Sequence, residues 1–380
     1  MPKYPKVFTV NPSMPEGYYN SVAMSNNGRY QTIVQRGQPD ATCAQGNLYV
    51  SWNFGTNFAR RLENLNLTGV AMSGNGKYQT AVVQGNSSAS PVQTGYIYTS
   101  SDNGHTWTQN TSAPSNGWYG VAMSRNGKYQ LALPNSYKSA PDNGFLYISS
   151  DYGETWTPQT GPGEQLWLNG AISATGQVMA AVVFGTLPDI TTSADAVTTP
   201  RFVSTQASSG TQASSGTQAK SSSDEALPGA VYLSKDYGLT WFPVPNLSDF
   251  FTCVAMSSDG TYLTVGAQNC FYAPALPKPL YTSSDGGVNW LIRNTDTDNW
   301  LGVAMSGDGQ YQCALSYQQE PESVSSGYVY QSTDFGATWS RNLSLPQDEW
   351  TSTAVSKDGK TQTVVATNCG SVYQKTCHKT

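Results

Sequence analysis

One phrase returns seven times along this chain, and its spacing restricts the fold more than any other feature. It reads Ser21-Val22-Ala23-Met24-Ser25, Gly69-Val70-Ala71-Met72-Ser73, Gly120-Val121-Ala122-Met123-Ser124, Gly170-Ala171-Ile172-Ser173, Cys253-Val254-Ala255-Met256-Ser257, Gly302-Val303-Ala304-Met305-Ser306 and Thr353-Ala354-Val355-Ser356. With anchors at positions 24, 72, 123, 172, 256, 305 and 355, the steps are 48, 51, 49, 84, 49 and 50 residues. Seven units of about 50 residues, each with several short strands, imply a ring of four-stranded blades. The expected fold is all-β: a single seven-bladed β-propeller of antiparallel blades over residues 1–380.

The second unit shows the strand pattern. Gly69 to Ser73 reads as strand a, and Asn75-Gly76 supplies the tight turn. Lys77 to Gln84 reads as strand b, Tyr96 to Ser100 as strand c and Trp107 to Asn110 as strand d. The last unit stops after strand c. Its missing strand d stands at the other end of the chain, where Phe8-Thr9-Val10-Asn11 matches Trp107-Thr108-Gln109-Asn110. Residues 6–11 are therefore expected to pair with the C-terminal blade and close the ring. The fourth unit is about 35 residues longer than the rest. Its insertion, about 185–229 between strands b and c, holds the tandem Gln206 to Thr211 and Gln212 to Thr217. That Ser/Gly/Thr composition predicts a flexible surface loop.

The c–d turn carries a second phrase, Ser100-Ser101-Asp102-Asn103-Gly104-His105-Thr106-Trp107. The frame recurs around Asp151, Asp236, Asp285 and Asp334, with a worn copy at Ser51, Asn53, Gly55, Asn57 and Phe58. S-x-D-x-G-x-T-W resembles the Asp-box, or BNR repeat, of sialidase-like propellers, and the resemblance covers nearly the whole chain. Each box brings one carboxylate, and neighbouring boxes lie on different blades. Asp102, Asp151, Asp236, Asp285 and Asp334 are therefore read as structural: each accepts bonds from its own turn. No metal or cofactor is expected.

Composition removes several functions. Charged residues are 12% of the chain, about half the usual share. The net charge of −5 carries no basic excess, which argues against a nucleic-acid partner. No run of about 18 apolar residues exists to insert into a membrane. The N-terminal segment has no apolar h-region, so no secretory signal peptide is expected; the compartment stays open. The six Cys form no CxxC, and the two His, His105 and His378, lie far from any ligand cluster. A zinc site or a Ser-His-Asp triad is not expected, and the Cys are read as free or structural.

In a meander of four strands, the a–b and c–d turns share one face and the b–c and d–a loops the other. The variable loops are the expected place for binding. Five residues before each anchor stands a large apolar residue: Tyr19, Leu67, Trp118, Trp167, Phe251, Trp300 and Trp350. These rings either wedge between blades or ring the channel mouth and stack on a ligand. Ligand-binding candidates are Trp118, Trp167, Trp300 and Trp350, with the less regular Tyr18, Tyr119 and Phe250. Glu16, Glu164, Asp249, Asp298, Asp348 and Glu349 are the acids nearby; a glycosidase would need two of them facing one pocket.

The sialidase resemblance implies three Arg on the substrate carboxylate and an R-I-P motif. The motif is absent. Arg29 and Arg125 fall in a–b turns, Arg293 and Arg341 in strands d and Arg201 in the insertion. Arg36, Arg60 and Arg61 remain for the loop face, all from blade one, so no sialidase residue carries over. Xyloglucanases of this fold generally use two propellers around a cleft. The single-propeller photosystem assembly factor is a non-enzymatic relative, but its basic patch has no counterpart here. The wording V-A-M-S-x-x-G-K-Y-Q-T is also similar to propellers of large DNA viruses of algae and amoebae. The expected function is a non-enzymatic recognition or structural module, binding glycan or protein through the loop face, as a virion or surface component. The alternative is a glycoside hydrolase with an unrecognised carboxylate pair.

Overall fold

The computed structural model describes residues 8–37, 46–85, 95–135, 144–186, 227–269, 278–293, 299–317, 326–367 and 372–376. Seven antiparallel sheets run in the order a-b-c-d and stand around one axis, making a seven-bladed β-propeller. Strand a is innermost: Tyr19–Met24, Leu67–Met72, Trp118–Met123, Trp167–Ile172, Phe251–Met256, Asn299–Met305 and Trp350–Val355. Each strand a packs on the next, and the seventh packs on the first. Strand b is covered by a neighbouring blade on both sides, so Gln79–Val83 and Met179–Val183 are buried throughout. Strand d meets solvent: Thr108–Gln109 is exposed at both residues.

The ring closes as the spacing implies. Thr9–Val10 completes the seventh blade by pairing with Gln374 and Tyr373. The Asn11 amide donates to the Val372 carbonyl at 2.8 Å. Phe8 is buried against Leu315, Trp350 and Val364. In blade four the ends of the insertion pair with each other, Gly185 with Pro228 and Thr186 with Leu227, which adds a fifth strand. Residues 187–226, where the flexible loop is expected, lie outside the described residues.

The turns are built from local hydrogen bonds. In the box of blade two, the Ser100 hydroxyl donates to Asp102 Oδ1 at 2.8 Å and accepts from the Gly104 amide at 3.0 Å. The Thr106 amide and hydroxyl donate to the two oxygens of the same carboxylate at 2.9 and 2.7 Å. The pattern repeats at Asp151, Asp236, Asp285 and Asp334. Burial works against the charged form. The bonds from Thr and Ser outweigh it and hold Asp102, Asp151, Asp236 and Asp334 below the ordinary carboxylate value. At Asp285, the Asn289 amide and side chain hold the carboxyl down to about 2.

Two residues of the box are left-handed, not one. Besides the glycine, φ is positive at Phe54, Asn103, Tyr152, Tyr237 and Phe335. That backbone costs a bulky residue about 1–2 kcal/mol. Tyr152, Tyr237 and Phe335 recover about 0.5–1.5 kcal/mol by packing on Tyr78, Tyr129 and Tyr262 of the preceding blade. They add little net stability over Asn103 or Gly286, which occupy the same place elsewhere.

Blades are stitched together at three depths. On the turn face, the amides of Asn26, Gly74, Arg125, Ala174, Ser258, Gly307 and Lys357 each donate to the carbonyl of the next residue in that series, and Lys357 returns to Asn26. This ring of backbone bonds is complete. At mid-height, a buried threonine of one strand b donates to a buried glutamine of the next: Thr32 to Gln79 at 2.5 Å, Thr80 to Gln130 at 2.6 Å, Thr264 to Gln312 at 2.6 Å and Thr363 to Gln31 at 3.0 Å. Where Met179 and Leu263 replace the glutamine, Leu131 and Ala180 replace the threonine. On the loop-face side, Asn20, Thr68, Thr252 and Thr351 each donate a side-chain bond to a strand-a carbonyl of the next blade.

Candidate functional site

The residue five before each anchor is a wedge between blades. Trp118, Trp167, Trp300 and Trp350 are at most 1% exposed. Trp118 packs on Val82 and Ile97 of blade two. Each of these four rings also meets the strand-c tyrosine of its own blade edge-on: Trp118 on Tyr147 at 5.1 Å, Trp167 on Tyr232 at 5.2 Å, Trp300 on Tyr330 at 5.3 Å and Trp350 on Tyr373 at 5.2 Å. The Trp167 and Trp300 indoles donate to the carbonyls of Gly144 and Lys278, each on the preceding blade. No face of these four rings reaches solvent. As ligand-stacking candidates they are corrected: they are interior packing, the architectural of the two readings.

The three less regular aromatics separate. Tyr18 is half-buried, and its carbonyl accepts from the Arg36 amide at 2.8 Å. Phe250 packs on Phe184 at 5.3 Å, with the Lys278 ammonium 5.9 Å from its ring centre. Only Tyr119 lines the axial cavity. It follows the wedge Trp118, where every strand a breaks register with strand b between the wedge and the second residue after it. The bulge re-aims that residue. In blades one, two, five and seven it is Asn20, Thr68, Thr252 or Thr351, tied to the next blade. In blades three, four and six it is Tyr119, Leu168 or Leu301.

These bulge residues and the next positions of strand a enclose a cavity of about 280 Å³. Its lining is neutral: hydroxyls, amides, small aliphatics and the Tyr119 phenol. Burial raises the Tyr119 phenol, and the nearby Arg36 guanidinium opposes this. The group stays protonated at neutral pH and can both donate and accept. Arg36 is fixed by Asn66 at 3.3 Å and Gln84 at 3.1 Å. The Asn169 and Gln268 side chains line the cavity without a hydrogen-bond partner among the described residues. On the turn face, the amide ring and Arg125, which bonds Ser258 Oγ at 2.6 Å, crowd the axis.

The carboxylates stand elsewhere. Asp249 is buried under Lys278 at 2.7 Å and the Tyr281 hydroxyl at 2.9 Å. Asp348 and Glu349 are adjacent, and burial pushes both carboxyls up. Glu349 Oε2 accepts from the Thr367 hydroxyl at 2.8 Å. Glu16 and Glu164 are exposed. Asp298 lies outside the described residues. None of the described acids lines the cavity.

Two arginines expected near the loop face are elsewhere. Arg60 and Arg61 lie in strand d, Ala59–Glu63. A register shift opposite Leu48 and Tyr49 turns Arg61 outward, and its guanidinium lies 4.9 Å from the centre of the Trp52 ring in the c–d turn. Cys253 and Cys313 are buried, and burial pushes the Cys253 thiol up to about 12. Cys43, Cys270, Cys369 and Cys377 lie outside the described residues. No group of His, Cys, Asp and Glu among the described residues could hold a metal ion.

Comparison with known proteins adds the fold and its breadth. No family model matches the chain, and no curated protein does. Solved structures do. The GH74 enzyme of Niastella koreensis superposes with a TM-score of 0.53 at 13% identity, over 92% of this chain and 62% of that one. The GH74 xyloglucanase of Xanthomonas campestris gives 0.51 at 12% identity, over 94% and 65%. This chain thus spans less than two thirds of either enzyme. Two matches run full length. The β-propeller domain of Cps50 (Swd1) from Myceliophteria thermophila gives 0.59 at 14% identity over 98% and 100%. YCF48 from Cyanidioschyzon merolae gives 0.58 at 12% identity over 97% and 98%. At these identities the likeness is one of fold.

Proposed function

We propose that the chain is a non-enzymatic recognition module. It binds a glycan, or a protein presenting equivalent polar groups, at the cavity on the loop face. The observation that carries this reading is the lining of that cavity. It offers the unpaired amides of Asn169 and Gln268 and the Tyr119 phenol, and no described carboxylate. Glycoside hydrolysis needs two carboxyl groups about 5–10 Å apart across the substrate. A neutral cavity of about 280 Å³ suits a terminal sugar held by hydrogen bonds and one aromatic face. The likeness of the repeat wording to viral propellers supports a role on a particle or surface.

A second reading has its own observation. Asp348 and Glu349 on the loop face have raised carboxyl pKa values, as a hydrolase acid requires. One experiment separates the two. Wild-type protein, Gln268→Ala and Glu349→Gln are incubated with xyloglucan and with neutral oligosaccharides, and binding and released reducing ends are followed together. The recognition reading expects binding without release, weakened in Gln268→Ala and unchanged in Glu349→Gln. Release of reducing ends that stops in Glu349→Gln would establish the hydrolase instead.

A further inference from the structure

The turn face carries an array that the cavity does not use. Three ring pairs follow one another from blade one to blade four: Trp52 on His105 at 4.5 Å, Tyr78 on Tyr152 at 4.6 Å and Tyr129 on Tyr237 at 4.9 Å. A cation lies over one ring of each pair. Arg61 is 4.9 Å from the Trp52 centre, Lys77 is 4.9 Å from Tyr78 and Lys128 is 5.3 Å from Tyr129. Among the described residues none of these three cations has an ion-pair partner. Tyr152 and Tyr237 keep 39% of their surface exposed and stand on left-handed backbone, φ 68° and 64°. Gly286 fills the same turn position without strain, so the turn does not demand an aromatic there. Packing offsets the strain and leaves little surplus, so stability alone does not account for the rings.

We propose that this crescent binds an acidic polysaccharide. The unit of exposed ring plus unpaired cation is the same at Tyr152 with Lys77 and at Tyr237 with Lys128, one blade apart, and His105 on Trp52 with Arg61 extends the row, so it suits a ligand that also repeats. Pyranose faces stack on the rings, and carboxylate or sulfate groups meet Arg61, Lys77 and Lys128. Single-stranded nucleic acid would use the same groups, but its affinity rests on releasing many counterions. The crescent's three cations, with Arg29 over Tyr30 beside them, stand among the box carboxylates Asp102, Asp151 and Asp236 on a chain of net charge −5, and supply little of that. The fourth ring pair, Tyr262 on Phe335, has Thr261 where the lysine stands and lies outside the crescent. This surface is independent of the cavity on the opposite face.

The test is biolayer interferometry with immobilised polygalacturonate and heparin, beside dextran and oligothymidine, at low and high salt. Wild-type protein should bind a polyanionic glycan, lose that binding at high salt and ignore dextran. Tyr152→Gly with Tyr237→Gly should weaken binding at least roughly tenfold without lowering Tm. Lys77→Ala with Lys128→Ala, on the surface and neutral to folding, should do the same. Phe335→Gly and the cavity variant Gln268→Ala should bind as wild type. Absence of binding to both polyanions overturns the proposal, as does equal loss in Phe335→Gly or tighter capture by oligothymidine.

Discussion

At the scale of single residues, this protein repeats small hydrogen-bonded devices: the buried Thr–Gln pair is kept at four interfaces and replaced by apolar side chains at two, and at the interface of blades six and seven Cys313 stands for the threonine while Gln362 accepts from Gln331 instead. The Thr80–Gln130 pair is fully buried, so removing one partner strands the other. Thr80→Val should cost about 1–3 kcal/mol in a urea titration. Gln130→Met added to it should recover part of the loss, because Leu131 and Met179 fill the equivalent places at the next interface. Additive losses would show that the pair is not coupled. The boxes make a prediction in pH. The folded Asp285 carboxyl sits at about 2 against an ordinary 3.8, so its bonds stabilise the fold above pH 4 and are lost as pH falls through 2. Asp285→Ala should therefore melt below wild type at neutral pH and converge with it near pH 2, followed by circular dichroism. The boxes were legible in the sequence because the side-chain bonds of their Ser, Asp and Thr close within one turn. Arg61 was not. Its direction depends on a bulge opposite Leu48 and Tyr49, and nothing in the local sequence marks that bulge.

At the scale of strands, a position repeated in every blade serves the ring. The wedge residues were visible as a sevenfold period, but a period cannot say whether a ring faces inward or outward. Burial decides it: Trp300 packs on Cys253 and Leu280 of blade five and on Tyr330 of its own. Trp300→Ala should cost about 3–5 kcal/mol in urea unfolding. A smaller loss than 1 kcal/mol would contradict the wedge. The informative residues are those that depart from the period. At the strand-a bulge, four blades use a polar tie to the next blade, and Tyr119, Leu168 and Leu301 break that rule. The sequence displays these residues plainly, but their meeting in one cavity follows from the bulge and the ring together. Ring closure was legible because Phe8 to Asn11 repeats the strand-d wording at the right distance from its anchor. Removing residues 1–11 exposes the Val372–Thr376 edge and uncovers the Phe8 site, and should lower Tm by several degrees.

At the scale of the whole molecule, the two faces differ in construction. The turn face carries the closed ring of backbone bonds and, over blades one to four, the row of ring pairs, whereas the loop face carries the cavity and the variable connections. The insertion in blade four enters and leaves side by side through two paired positions, Gly185–Pro228 and Thr186–Leu227. Excising residues 200–224 should accordingly leave Tm close to wild type, while an aggregate would show that the insertion is part of the fold. The seven blades were legible from seven anchors alone, because each unit must bury both its faces against like units. What the cavity holds was not legible, since its lining is scattered over all seven strands a and the side chain of Gln268 belongs to none of them. The most direct test of the recognition reading is a glycan array probed with wild-type protein and with Gln268→Ala, Tyr119→Phe and Tyr152→Gly. The account predicts a defined set of neutral glycans, lost in the first two variants and kept in the third, with all four proteins melting alike. Neutral glycans bound equally by Gln268→Ala and Tyr119→Phe, or none bound at all, would contradict a sugar site in the cavity.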